Sequence, residues 1–219
     1  DFNLHERVIK NKIPKIISTG GIKVEDIDKI VSFYSKKNQE FALMHCVSIY
    51  PTKNSDLNLN FIENLKKRYE SINIGWSTHE DPNEFLPASL ALSKGATMFE
   101  KHVGLNTKKY KLNKYSITPD KFEEWIINLK KSQDMLGSYN KKIYNDELKT
   151  IEKLSRGVYV KKNLNKNDRL NTSNIYYAFP KQKNQLSSQE LKKNTIIKIN
   201  KKIDSPIKKS DVIFDKELI

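Results

Sequence analysis

Cysteine is almost absent from this sequence, since Cys46 is the single cysteine among 219 residues. No disulfide can form within the chain, which favours a reducing compartment. No apolar run approaches the roughly 20 residues that a membrane-spanning helix needs, and the sequence contains no signal-peptide pattern. These absences predict a cytoplasmic protein that does not associate with a membrane.

Arginine is also scarce, although the formal net charge is +14. Of the 40 basic residues, only Arg7, Arg68, Arg156 and Arg169 are arginines. Arginine is the usual reader of bases and phosphates, and the lysines are scattered through every segment beside many asparagines. The charge therefore indicates a compositional bias toward lysine and asparagine, and we do not predict a nucleic-acid partner.

Hydrophobic residues make up only 37% of the chain, but they occur in clusters that predict a folded, very polar protein. A strand followed by a helix is predicted four times, over residues 15–37, 41–69, 72–94 and 97–136. Four such units form half of an eight-stranded barrel or an open parallel sheet. Polar residues at the carboxyl end of each strand favour the barrel, because barrel active sites lie there.

Two histidines follow neighbouring strands in the stretch from Ile72 to Gly104. The pattern predicts a strand over 72–76, a helix over 87–94 and a strand over 97–103, which place His79 and His102 at the same edge of the sheet. A lone histidine at a strand end is more often structural than metal-binding, and two make an incomplete metal site. Ser77 and the charged pair Glu100 and Lys101 lie close by in sequence and favour a functional site.

Other candidate residues follow the first two strands. The strand from Lys15 runs into Ser18 and a glycine turn, STGG, whose hydroxyls and amides suit a phosphate or carboxylate, although an ordinary turn is the commoner explanation. Ser48 and Tyr50 follow the strand over 41–47 and face the same edge. Cys46 lies within that strand, and we interpret it as a small buried hydrophobe.

The composition changes after Ser138. Lysine and asparagine become more frequent, a connector helix is predicted over 146–154, and the apolar residues come in the brief runs GVYV, NIYYAF, TIIKI and DVIF. The stretch SSQEL between them predicts a short helix capped by Ser187 or Ser188. This pattern indicates a small β domain with a boundary near 140–154.

Four blocks of sequence together resemble one known family. HCVSIYPT, GWSTHE, GATMFEKHVG and SRGVYVKKNLNKNDRLNTSNIYYAFP resemble the sialic acid synthase family, in their order and spacing, over nearly all of the chain. The resemblance implies the second half of a (β/α)8 TIM barrel at 1–137, a linker at 138–154 and a SAF, or antifreeze-like, domain at 155–219.

The same resemblance implies an activity and a set of site residues. Family members condense phosphoenolpyruvate with an open-chain amino sugar, and form a nonulosonic acid and phosphate. The resemblance assigns a divalent metal, Mn²⁺ or Mg²⁺, to His79 and His102, and phosphoenolpyruvate contacts to Ser18, Ser48 and Ser77. It places Tyr50 in the catalytic pocket, and it implies a homodimer that exchanges its SAF domains.

Several departures from the family pattern limit this assignment. Asn113 aligns with an acidic catalytic residue, Phe179 with a substrate-binding arginine and Thr78 with an aspartate, so we expect a sugar aldehyde other than N-acetylmannosamine. About four βα units that precede Asp1 in the family are missing, which predicts either a fragment or a truncated protein, inactive as it stands. The alternative is a non-catalytic half-barrel and SAF module that binds an acidic sugar or a protein.

Overall fold

The computed structural model describes residues 1–214, and the chain forms two units, Asp1–Ser138 and a second one beginning at Tyr139. The helices of the first unit are α1 (Phe2–Val8), α2 (Val24–Lys36), α3 (Asn60–Arg68), α4 (Leu86–Ser93) and α5 (Pro119–Leu136). Its strands are β1 (Lys15–Ser18), β2 (Phe41–Cys46), β3 (Asn73–Thr78) and β4 (Met98–Lys101). The second unit contains α6 (Asn145–Lys153), β5 (Gly157–Val160), β6 (Ile175–Ala178), β7 (Ile196–Ile197) and β8 (Val212–Ile213). Among residues 1–214, no helix is both long and apolar enough to cross a bilayer.

The first unit contains a four-stranded sheet in the order β1-β2-β3-β4, and all three pairings are parallel. Each strand is followed by a helix, so the prediction of an α/β fold with four repeated units is confirmed, and the curled sheet is half of a barrel. β3 extends to Thr78, two residues beyond the predicted end, because Ser77 and Thr78 pair with Glu100 and Lys101 of β4. That extension brings the strand directly to His79.

Side chains alternate between the two faces of this sheet, as the pleat of a β-strand requires. Leu43, Ile74, Trp76 and Phe99 face the helices and form the core with Trp125 of α5. The opposite face, which we call the inner face, contains Met44 above Gly75, where an added Cβ would lie 2.4 Å from the Met44 sulfur. Toward the carboxyl ends of the strands, this face becomes polar.

The last helix of the first unit begins and ends at the residues that its sequence predicts. Thr118 occupies the N-cap position with extended backbone and Pro119 opens the first turn, although the threonine side chain makes no capping hydrogen bond. Proline suits this position because the first amides of a helix have no partner within it. Gly137 ends the helix with a φ of 60°, which favours glycine.

The second unit contains two antiparallel pairs, β5 with β6 and β7 with β8. β5 matches the run GVYV from which we predicted it, whereas β6, β7 and β8 are shorter than their runs, and β7 and β8 have two residues each. The predicted helix at SSQEL is wrong, because these residues form a turn. Ser187 and Glu190 nevertheless bond each other reciprocally between side chain and amide, so the local cap forms without a helix after it.

An ion pair joins α2 to α3 in the first unit. Arg68 donates two hydrogen bonds to the Asp28 carboxylate, at 2.8 and 2.6 Å, and the Tyr69 hydroxyl donates a third at 2.7 Å. The hydrogen bonds from Arg68 and then Tyr69 lower the pKa of Asp28 from 3.8 to about 2. Three donors on one carboxylate make this a geometrically specific link between two helices.

This link predicts an acid-dependent contribution to stability. Because the pKa of Asp28 is depressed in the folded state, its contribution is present above pH 3.8 and is lost as the pH falls toward about 2. Asp28→Asn should therefore lower the free energy of unfolding at neutral pH and flatten its decline between these two pH values. Urea denaturation across this range measures both effects. Glu25→Gln, an exposed change on the same helix, is the control, and an unchanged acid limb in Asp28→Asn would contradict the interpretation.

Candidate active site

The carboxyl ends of β3 and β4 bring His79 and His102 together. Thr78 pairs with Lys101 in the parallel register, and each histidine is the residue that follows. The two imidazole rings lie with their centroids 5.2 Å apart and their planes at 47°. Two ring nitrogens on such neighbouring rings can approach one common ligand.

The ring of His79 is held in place by the backbone of the neighbouring loop. His79 is only 4% exposed, and its Nδ1 lies 3.0 Å from the carbonyl oxygen of Val47. A carbonyl oxygen can only accept, so Nδ1 carries a proton, and in the neutral form of the ring Nε2 keeps its lone pair. The amide of Thr52 also donates to the His79 carbonyl oxygen at 2.8 Å. A hydrogen bond from the second ring nitrogen of an imidazole to a carbonyl oxygen, as here from Nδ1 to Val47, is typical of a metal-binding histidine.

Two tyrosines complete a cluster of four rings, Tyr50, His79, His102 and Tyr115, which we call the aromatic cluster. The Tyr50 ring lies 4.2 Å from His79 and 5.1 Å from Tyr115, between centroids, and Tyr115 lies 5.1 Å from His102. Sequence reasoning included Tyr50 but missed Tyr115. The signal that could have found Tyr115 is its aromatic ring, two positions after Asn113 in a loop otherwise rich in lysine.

The inner face beside the aromatic cluster contains a hydrogen-bonded acid. Ser77 is buried, and its hydroxyl donates to Glu100 Oε1 at 2.9 Å across the β3–β4 pairing. Cys46 pairs with Ser77 in the β2–β3 register, and its sulfur lies 3.9 Å from His79 Nδ1. Hydroxyl, thiol and carboxylate therefore form one row below the two histidines.

The remaining predicted serines lie at the carboxyl ends of β1 and β2. Ser18 ends β1, is exposed on the inner face and pairs in register with Met44. The hydroxyl of Ser48 lies so close to Gly20 of the STGG turn that an added Cβ there would stand 2.2 Å from it. Glycine at this position thus allows the two loops to approach.

Three other predicted residues have different surroundings. Asn113 is exposed, and its side-chain oxygen accepts a hydrogen bond from the amide of Tyr115 at 3.1 Å, so it shapes its own loop. Phe179 lies in the second unit and is 61% exposed. Thr78, which stands where the family resemblance implies an aspartate, is buried, and its hydroxyl accepts from Lys101 at 3.3 Å on the helix-facing side of the sheet. Its side chain therefore does not face the histidines.

The donor set at the aromatic cluster fits an open metal site. Within residues 1–214, no group of three or more histidine, cysteine, aspartate or glutamate side chains is arranged to hold a metal ion. The two imidazoles would therefore supply two ligands, and water or substrate would supply the others. Metals that act in catalysis keep such exchangeable positions.

A comparison with known protein families decides the affiliation of the chain. The model of the NeuB family matches residues 1–141. The chain belongs to the NeuB family. The resemblance inferred from the four sequence blocks is thus confirmed, and the matched residues include both histidines and both tyrosines of the aromatic cluster.

Several NeuB-family relatives are similar to this chain. The pseudaminic acid synthase of Campylobacter jejuni is 29% identical over 182 residues, which are 82% of this chain and 52% of that protein. The crystal structure of an N-acetylneuraminic acid synthetase from Leptospira borgpetersenii is 30% identical, with a TM-score of 0.61 over 69% of this chain and 52% of that one. A spore coat polysaccharide biosynthesis protein E structure from Chromobacterium violaceum is 36% identical, with a TM-score of 0.81, and covers 97% of this chain and 64% of that one. This NeuB-family chain thus spans between half and two thirds of the length of these relatives.

The two buried histidines of this NeuB-family chain should be opposite tautomers. His79 directs Nδ1 at the carbonyl of Val47, whereas His45 directs Nε2 at the carbonyl of Leu57 at 2.8 Å. In their neutral forms, we expect a proton on Nδ1 of His79 and on Nε2 of His45. Long-range ¹H–¹⁵N correlation spectra of a histidine-labelled sample distinguish the tautomers, and His45 serves as the internal reference. A proton on Nε2 of His79 would contradict the assignment.

Proposed function

We propose that this chain is part of a synthase that condenses phosphoenolpyruvate with a sugar aldehyde to give a nonulosonic or related ulosonic acid and phosphate. The observation that carries the proposal is the pair of imidazoles, 5.2 Å apart, at the carboxyl ends of adjacent parallel strands. Family membership and the names of the relatives support it, since they include pseudaminic acid and N-acetylneuraminic acid synthases. The enzyme class is a carbon–carbon-forming transferase.

In this proposal His79 and His102 hold a divalent cation, Mn²⁺ or Mg²⁺. The cation would supply Lewis acidity toward the aldehyde oxygen. The hydrogen bond from His79 Nδ1 to Val47 leaves Nε2 available, and the burial of this ring excludes bulk water from one side. Tyr50 and Tyr115 then form apolar walls with polar tips, which suits a sugar bound against its ring or chain carbons.

Phosphoenolpyruvate would bind along the carboxyl ends of β1, β2 and β3. Ser18, Ser48 and Ser77 lie at the ends of these three consecutive strands. Hydroxyl groups and free amides in βα turns donate hydrogen bonds to phosphate and carboxylate oxygens. Glu100 already accepts from Ser77, so this acid is positioned to exchange a proton or to orient the serine.

The second unit is proposed to be a SAF domain that acts in a homodimer by reaching the site of the partner subunit. Its two small antiparallel sheets suit a compact β domain. Phe179 stands where the family resemblance implies an arginine toward the sugar, and Asn113 stands where it implies an acid. Both replacements are uncharged, which favours a sugar other than N-acetylmannosamine. Cytoplasmic location is part of the same proposal.

The metal proposal predicts that both histidines are needed for cation binding. His79→Ala and His102→Ala should each lower Mn²⁺ affinity by at least about ten-fold and leave the helical circular dichroism signal unchanged, because neither ring packs in the helix-facing core. Isothermal titration of the 219-residue chain with Mn²⁺ measures the affinity. His5→Ala, on α1, is the matched histidine control. Unaltered affinity in both site variants, or no binding by the parent chain, would contradict the metal assignment.

The synthase proposal predicts different activities for two forms of the protein. The described sheet has free edges at β1 and β4, whereas a closed barrel has none. The 219-residue chain alone should therefore be inactive, and a protein that also carries the first half of the barrel should release phosphate from phosphoenolpyruvate with a sugar aldehyde. Phosphate release is measured with a panel of amino sugars and aldoses, with Mn²⁺ and after chelation.

Each outcome of this assay is informative. Turnover by the 219-residue chain would overturn the prediction that it is inactive. A longer protein that binds Mn²⁺ but consumes no phosphoenolpyruvate with any sugar would overturn the synthase proposal. In that case, the alternative of a non-catalytic module that binds an acidic sugar or a protein would be favoured.

A further inference from the structure

A fully buried ion pair lies directly behind the two histidines. The side chains of Glu80 and Lys101 are both 0% exposed, and Lys101 Nζ lies 2.6 Å from Glu80 Oε1. Glu80 is the residue after His79, and Lys101 is the residue before His102. The ion pair therefore connects the two chain segments that carry the imidazoles.

The position of Lys101 excludes direct contact between this ion pair and a substrate at the inner face. Ser77 and Glu100 point to the inner face, so the alternation of β-strands directs Thr78 and Lys101 to the side of the helices. Lys101 Nζ lies 5.9 Å from the centroid of the Trp125 ring. Trp125 belongs to α5 and is part of the hydrophobic core. The two charges thus act on the site only through the chain segments to which they belong.

Stability does not explain why two charges are buried at this place. Removing an acid and a base from water is costly, and apolar residues of similar volume often replace a buried ion pair without loss of stability. The cost is incompletely recovered here, because Glu80 Oε2 has no hydrogen-bond partner within residues 1–214. An ion pair instead provides a short, directional link of fixed length.

We propose that the Glu80–Lys101 ion pair is a positioning device that sets the separation of His79 and His102. The two residues sit at strand ends, beyond the last ladder pairing of Thr78 with Lys101, and the backbone hydrogen bonds of each go to a different loop. The ion pair ties these two segments directly to each other. His102 is exposed, and its ring contacts Tyr50 and Tyr115 rather than the core. The inference rests on the proposed metal site for its functional meaning, but the geometry of the two rings can be tested without a metal.

Two variants separate positioning from stability. Glu80→Gln keeps an oxygen that accepts from Lys101, so the link survives although the buried charge loses its counter-ion. The triple variant Thr78→Val, Glu80→Leu, Lys101→Met removes the link, and it leaves neither a buried charge nor an orphaned threonine hydroxyl. Asp26→Asn with Lys29→Met removes an exposed ion pair on α2 and serves as the control.

The expected results are opposite for the two variants. Glu80→Gln should lower the melting temperature and retain Mn²⁺ affinity within about two-fold, whereas the triple variant should melt within about 4 °C of the parent and bind Mn²⁺ at least about ten-fold more weakly. The control should alter neither quantity. If the ion pair only stabilised the fold, Mn²⁺ affinity would instead fall in whichever variant has the lower melting temperature. Loss of affinity in Glu80→Gln, or parental affinity in the triple variant, would overturn the proposal.

Nuclear Overhauser effects provide the readout that is independent of metal. The chain has four histidines, so labelled ring protons can be assigned individually. Contacts from His79 to His102 and Tyr50, whose ring centroids lie at 5.2 and 4.2 Å, should persist in Glu80→Gln and weaken or vanish in the triple variant. If the parent chain binds no Mn²⁺, the metal proposal fails, and these ring contacts alone decide whether the ion pair positions the histidines. Unchanged ring contacts in the triple variant would overturn the proposal that the ion pair positions the histidines.

Discussion

The parallel pairing of β3 with β4 is the interaction on which the candidate site depends. Its register places Ser77 opposite Glu100 and Thr78 opposite Lys101, so that the next residue of each segment is a histidine at the same edge of the sheet. A shift by one residue would turn every side chain of one strand to the other face. The inner face would then contain Lys101 and lose Glu100, and the two imidazoles would separate.

The same register distributes charge between the two faces of the sheet. Glu100 lies toward the inner face, where it accepts from Ser77, while Lys101 lies among the helices and pairs with Glu80. Glu100 is exposed to solvent and is thus available for chemistry. The side chain of Lys101 is enclosed, so it can only stabilise the structure. Burial also lowers the pKa of His45, opposed by its bond to Leu57, which favours the neutral form of this histidine on the helix-facing side of the sheet.

Much of this arrangement could be predicted from the sequence, since its signals are local. Apolar periodicity, Pro119 and Gly137 marked the βα units, and strand ends marked His79 and His102. The identity of neighbours across the sheet was not predictable, because nothing in the chain near His79 indicates that Glu80 meets Lys101. Tyr115 was missed for the same reason. The prediction of a helix at SSQEL was wrong because a capping pattern does not provide the packing that extends a turn into a helix.

The central claim is that two imidazoles of this NeuB-family chain hold one cation. Electron spin echo envelope modulation of the Mn²⁺-loaded chain counts histidine nitrogens bound directly to the metal. It should detect two such nitrogens in the parent chain and one in His102→Ala. Mn²⁺ coupled to no histidine nitrogen in the parent chain, or a spectrum unchanged by loss of His102, would contradict the claim.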